Sequence, residues 1–350
     1  MLNPELKLNP KLFDADVEQV PIRKGFGEGL LKAGELDARV VGLCADLTES
    51  TQMEAFAKKF PNRYVEIGVA EQNLATVASG MAAMGKIPFM TSYATFSPGR
   101  NWEQIRTTIA YNNRPVKVIG SHAGISVGPD GGTHQALEDM AIMRALPRMV
   151  VISPCDAIEA RKATMATAKT ADPTYIRLAR EKTPIMTTDD TPFEIGKAQI
   201  VFRSEASQKS KVKSQKIRTG NGDRSSPFDV GIIATGALLH KALTAAQKFT
   251  SEGRSAVVMN LATIKPLDEQ AIIRLATDAG AIVTVEEHQI MGGMGSAVAE
   301  CLAKHHPVPI EFIGVVDKFG QSGKPDELIE LYEMGETHVY KAVHKVLMRK

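Results

Sequence analysis

Between residues 39 and 178 this chain alternates short apolar runs with helix-prone runs, and that alternation constrains the fold more than any other feature. The runs at 39–44, 63–67, 87–93, 116–120, 149–152 and 174–178 read as strands. Helical stretches fall around them: 23–34 ahead of the first, then one through 53–56, 71–84, 102–111, 133–146 with Thr133 as its N-cap, and 156–170. Strands joined by helices run parallel, because a crossover of that length returns the chain to the same end of the sheet. The expected class is α/β, a mostly parallel sheet with helices on both faces.

A second α/β unit follows. Strands are expected at 230–234, 256–259, 282–286 and 310–315, with helices at 238–251 and 268–279, one ending at 304 and one at the C-terminus. The expected organisation is an arm at 1–20, a first domain at 21–186, a linker at 187–228 and a second domain at 229–350, each domain three-layered. The linker carries a basic, serine- and lysine-rich insertion. Its cations (Lys209, Lys211, Lys213, Lys216, Arg218) have no aromatic residue between them, which favours a solvated segment over a patch for an acidic partner. Gly292, Gly293 and Gly295 flank a helix start without the full dinucleotide fingerprint, so close backbone packing is expected there.

Composition excludes several classes. Lys and Arg total 42 against 40 Asp and Glu, too even a balance to imply a nucleic-acid partner. Cys44, Cys155 and Cys301 form no CxxC pair, so neither a zinc site nor a disulfide framework is expected. No run reaches the roughly 20 apolar residues of a membrane span, and residues 1–13 lack the apolar core of a signal peptide. A cytoplasmic location is expected.

Ligands of open α/β sheets bind beyond the carboxyl ends of the strands. Glu71 stands at such an end, in the turn from the strand at 63–67 to the helix at 71–84. The same position suits an acid that merely answers the helix dipole. The glycine-rich loop at 122–135 carries His122, Asp130 and His134. The histidines can bind hydroxyls or phosphate or move protons, and Asp130 can accept from a sugar hydroxyl. Pro-Asp-Gly-Gly within that loop is also turn chemistry in its own right. Arg23, Arg177 and Arg180 lie near strand ends, where a guanidinium can clamp a phosphate, and Ser50 can add a hydroxyl. Tyr93, Phe96 and Trp102 offer faces for a flat ligand or simply pack the core.

Three segments carry a family resemblance. Residues 68–73, Gly-Val-Ala-Glu-Gln-Asn, resemble the GVREH segment of transketolases. Residues 122–135 resemble their HDSIGVGEDGPTHQ loop, with Ala123, Pro129 and Gly132 departing from it, and residues 45–50 resemble their ADLTPS segment. The resemblance runs from about residue 20 to the C-terminus and corresponds to the family's pyrimidine-binding and C-terminal domains. It implies thiamine diphosphate as cofactor. Glu71 would bond the ring nitrogen of its aminopyrimidine and so activate the thiazolium carbon. Phe96 would stack on the pyrimidine, and Asp46 would lie near the reacting centre. Asp130 and His134 would contact donor hydroxyls, while Arg23, Ser50, His122 and Arg180 would hold the sugar phosphate.

In that family Mg²⁺ and the cofactor's pyrophosphate are held through a Gly-Asp-Gly segment, which does not occur here. The resemblance therefore implies the C-terminal subunit of a split transketolase. A separate subunit would bind the diphosphate and Mg²⁺, the assembly would be α2β2, and the pair would transfer two-carbon ketol units between sugar phosphates. The alternatives are a subunit of another thiamine diphosphate enzyme, either 1-deoxyxylulose-5-phosphate synthase-like or a 2-oxoacid dehydrogenase β subunit, or a non-catalytic scaffold.

Overall fold

The computed structural model describes residues 1–205 and 226–350, so the basic run at 209–218 lies outside the described residues. In chain order the first part forms β1 (Gln19–Pro21), α1 (Ile22–Leu36), β2 (Val40–Cys44), α2 (Glu54–Lys59), β3 (Tyr64–Glu66), α3 (Glu71–Ala83) and β4 (Ile87–Tyr93). Next come α4 (Trp102–Gln104, continued by the π-helical stretch Ile105–Tyr111), β5 (Lys117–Ser121), α5 (Asp139–Arg144), β6 (Val150–Ile152), α6 (Ala157–Thr167), β7 (Thr174–Arg177) and β8 (Lys182–Pro184). The rest supplies β9 (Gln199–Arg203), β10 (Val230–Ala234), α7 (Leu239–Ser251), β11 (Ala256–Asn260), β12 (Thr263–Lys265) and α8 (Glu269–Ala279). It ends with β13 (Ile282–Gln289), α9 (Met294–His305), β14 (Ile310–Val315), α10 (Pro325–Leu331) and α11 (Glu336–Leu347).

Seven strands make the first sheet, in the order β12-β6-β7-β5-β4-β2-β3, and only β12 runs antiparallel to its neighbour. Every residue of β2, β5 and β7 is buried, as parallel strands covered on both faces must be. On one face Phe26 and Leu30 of α1 meet Phe89, Ile119 and Ile176 of the sheet. On the other, Leu74 of α3 and Ile105 and Ile109 of α4 pack on Leu43, Met90 and Val118. From β2 the chain steps outward to β3, then returns to β4 on the far side of β2. The loops after β2 and β4 therefore diverge, and in open α/β sheets ligands bind at such a switch point.

The second sheet has the order β14-β13-β10-β11-β9, parallel except for β9. Both sheets are flanked by helices, so the α/β class stands. Among the described residues no helix is long and apolar enough to cross a membrane.

Besides adding β1, β8 and β12, the structure departs from the sequence reading in four places. The arm at 1–20 packs down: Leu8 and Leu12 are buried against the second sheet, and the Asn3 N–H donates to the Val201 carbonyl at 3.0 Å. Thr133 caps no helix, because α5 begins only at Asp139. The carbonyls of Ala136 and Leu137 instead accept from the N–H groups of Gly124 (2.9 Å) and Gln289 (2.7 Å), which commits that stretch to tertiary partners. The stretch read as linker contains β9, which pairs with β11. The C-terminal helix is two, α10 and α11, broken where Glu333 takes a positive φ of 59°.

Candidate functional site

Glu71 opens α3 and is 2% exposed. Gly68, at φ +77°, lets the chain turn sharply out of β3 toward it. The Glu66 carboxylate accepts the N–H of Gly68 at 2.8 Å and that of Asp46 at 2.7 Å, tying the turn after β3 to the loop after β2. Burial works against the charged form of Glu66, but those N–H groups together with the hydroxyls of Tyr64 and Thr48 outweigh it and hold its pKa below the usual carboxylate range. Glu71 itself is paired, as a buried acid must be. Its Oε2 accepts from Arg100 Nη1 at 2.7 Å, and Asn101 Nδ2 donates to its carbonyl at 2.9 Å.

The Arg100 guanidinium also lies 4.9 Å over the Phe96 ring. From Phe96 a group of rings continues along the carboxyl edge. His134 meets Phe96 edge-on at 5.4 Å, and Tyr93 stacks on His122 with centroids 3.8 Å apart. Tyr93 is the last residue of β4 and His122 follows β5, so adjacent parallel strands bring them together.

The far end is cationic. Arg23, in the first turn of α1, donates to the carbonyls of Ser50 (2.6 Å) and Arg180 (3.3 Å). Burial, then the positive charge of Arg180, lower its pKa from the usual arginine value. Burial also pushes His122 down to about 3, helped by Arg23, Arg180 and His134, so its ring is neutral at ordinary pH. Glu181, 3.4 Å from Arg180, is the carboxylate paired there. Two guanidiniums beside a neutral imidazole favour an anion.

The fold thus assembles Glu71, Phe96, His122, His134, Arg23, Ser50 and Arg180 along one edge of the first sheet. Asp46 and Asp130 are not tied into that group. Both are exposed, and among the described residues no hydrogen bond joins either carboxylate to the group. Arg177 is no phosphate clamp: it is buried, donating from Nε to Asp139 at 2.9 Å and from Nη2 to the Glu287 carbonyl at 2.7 Å. Trp102 is structural, its indole N–H on the Ile142 carbonyl at 3.0 Å. Sequence reasoning missed Arg100 and Glu66. Their only signal was proximity: Arg100 stands four residues after Phe96, and Glu66 two before Gly68. Among the described residues no three His, Cys, Asp or Glu side chains converge as a metal site.

The transketolase pyrimidine-binding domain model matches residues 18–186, and the transketolase C-terminal domain model matches residues 221–339. A putative transketolase C-terminal section from Methanocaldococcus jannaschii is 40% identical, over 94% of this chain and 97% of its own length. The 6-deoxy-6-sulfo-D-fructose transketolase subunit SqwH of a Clostridium species is 37% identical, over 97% and 98%. Human transketolase is 31% identical over 95% of this chain but only 50% of its own length. A solved split gene transketolase, described as an inactive beta4 tetramer, superposes with a TM-score of 0.82 at 38% identity, covering 94% of this chain and 99% of that one. The chain belongs to the transketolase family.

Proposed function

We propose that this member of the transketolase family is the C-terminal subunit of a two-chain transketolase. Joined by a diphosphate-binding subunit, it would move a two-carbon ketol unit from a ketose phosphate to an aldose phosphate. The observation that carries the reading is Glu71. Its buried carboxylate faces a planar donor, Arg100, seated over Phe96. A group that fits there is flat and shares a proton with a carboxyl group, and the aminopyrimidine of thiamine diphosphate can do so through its ring nitrogen. When bound, that cofactor supplies the nucleophilic carbon and the electron sink.

The chain's own residues then take these roles. Glu71 shares a proton with the ring nitrogen in place of its bond to Arg100, and Phe96 flanks the ring. Asp46 lies near the reacting centre. His134 and Asp130 hold donor hydroxyls. Arg23, Ser50, Arg180 and the neutral His122 hold the phosphate. Mg²⁺ and the pyrophosphate belong to the partner, in an α2β2 assembly.

Two observations support a partner. The relatives matched over their whole length are named as sections or subunits. The outer face of α3, beside Glu71, exposes Gln72, Asn73, Thr76 and Gly80 and bears no charge, the depletion expected where another chain covers a surface. Gly80 sits inside this helix at a cost of about 1 kcal/mol relative to alanine. A Cβ there would meet nothing within 4 Å in this chain, which leaves a close approach from outside as the reason for glycine.

Reconstitution tests the proposal. The pair should convert xylulose 5-phosphate and ribose 5-phosphate, and this chain alone should not; turnover by the pure chain would sink the split reading. Glu71→Gln in the pair should slow exchange of the cofactor's C2 proton by about 10²–10⁴-fold, the range for a positioned acid–base group. Unchanged exchange would remove Glu71 from that role.

A further inference from the structure

The loop at 122–135 is glycine-rich for a reason that lies in the other half of the molecule. A Cβ on Gly124 would fall 2.3 Å from Glu287 Oε1, and one on Gly131 would fall 2.6 Å from Ser322 Oγ. One on Gly132 would fall 2.7 Å from the Gly320 carbonyl oxygen, and one on Gly128 3.0 Å from Pro325 Cγ. All four neighbours belong to β13 or to the segment 320–325. Hydrogen bonds run between these contacts. The Ser126 N–H donates to Glu287 Oε1 at 2.6 Å. Gln135 Nε2 donates both to the Ile125 carbonyl at 2.9 Å, within the loop, and to the Gln321 carbonyl at 3.0 Å, across to the second half. Glu287 is 3% exposed, and the bond from Arg177 to its carbonyl holds the end of β13 in place. A buried carboxylate that accepts a backbone N–H fixes the position of that backbone, and its removal leaves the N–H unsatisfied.

We infer that Glu287, with Gln135 as a second tie, is a positioning residue for the loop that presents His122, Asp130 and His134. The second half of the chain is thus the rigid backing of the substrate-contacting loop. This rests on reading that loop as the donor-contacting segment. Glu287 touches no substrate and acts only through the loop's backbone.

Hydrogen exchange on the full-length chain, with donor kinetics on the reconstituted pair, tests it. In Glu287→Ala, amides across 124–132 should exchange at least about tenfold faster while those of β4 and β5 keep their protection. In the pair, KM for the donor should rise about tenfold with a smaller change in kcat. Glu287→Gln keeps an oxygen acceptor at the same reach and should restore both. Should Glu287→Ala not fold, Gln135→Met cuts the second tie at similar volume and should give the same loop-confined acceleration. Unchanged exchange at 124–132, or acceleration spread evenly over β4 and β5, overturns the positioning role. Loop-confined acceleration in a pair whose parent transfers no ketol group upholds the positioning role and overturns the transketolase reading instead.

Discussion

His122 is buried among cations, and its chemistry follows from that company. Its folded pKa, pushed down to about 3, lies below the value of about 6.5 for an unhindered histidine. The unfolded chain therefore takes up the proton first, and this residue's contribution to stability is lost as pH falls from about 6.5 toward 3. The imidazole of the isolated chain should show no titration by NMR between pH 8 and 5; a midpoint near 6.5 would contradict its burial beside Arg23 and Arg180. An anion bound between those arginines should raise the pKa, because it offsets the positive field. At this scale the sequence supplied the identity of the candidates but not their partners. His122 could be named, while its neutrality depends on guanidiniums that stand 99 residues upstream and 58 downstream of it. Arg100, Glu66 and Glu287 were missed because each acts through a contact that only folding creates.

At the level of elements, the strands at 87–93, 230–234 and 310–315 coincide with β4, β10 and β14, since a buried run bounded by turn residues declares both its type and its ends. The helix expected from Thr133 begins only at Asp139, because the carbonyls of Ala136 and Leu137 found tertiary partners, a competition invisible to local propensity. The crossing of α1 and α6 shows the same limit. A Cβ on Gly25 would lie 1.8 Å from the Ala157 oxygen, and one on Gly29 2.8 Å from the Arg161 oxygen, so these glycines let the helices touch by their backbones. Gly25→Ala gains about 1 kcal/mol of helix propensity. Overpacking typically costs about 1–3 kcal/mol, and more where backbone rather than a movable side chain is struck. The clash should win, with a net loss of about 2 kcal/mol in denaturant midpoint measurements; a stabilised variant would refute the close crossing.

Across the whole molecule, the two halves share structure as well as a surface. β12 comes from the second half yet completes the edge of the first sheet against β6. One apolar cluster runs from Val118 and Met140 to Ile233 and Met294, through both halves. Arg177 and Glu287 bind across the same boundary. Calorimetry should therefore show a single cooperative transition with matching van't Hoff and calorimetric enthalpies. Two resolved transitions would mean that these ties are too weak to couple the halves.

The sequence by itself determined the α/β class, the family, and the carboxyl-edge segments where Glu71, Phe96, His122, His134 and Arg180 stand. These depend on hydrophobic period and on short contiguous motifs, which a linear chain displays directly. Only the tertiary structure decided that Arg100 faces Glu71, that Arg177 is bound in the core, that β12 crosses between sheets, and that the glycines of the 122–135 loop answer the second half of the chain. Each of these is a contact between distant residues, and its energy comes from burial and hydrogen bonding that exist only once the sheets have closed on one another.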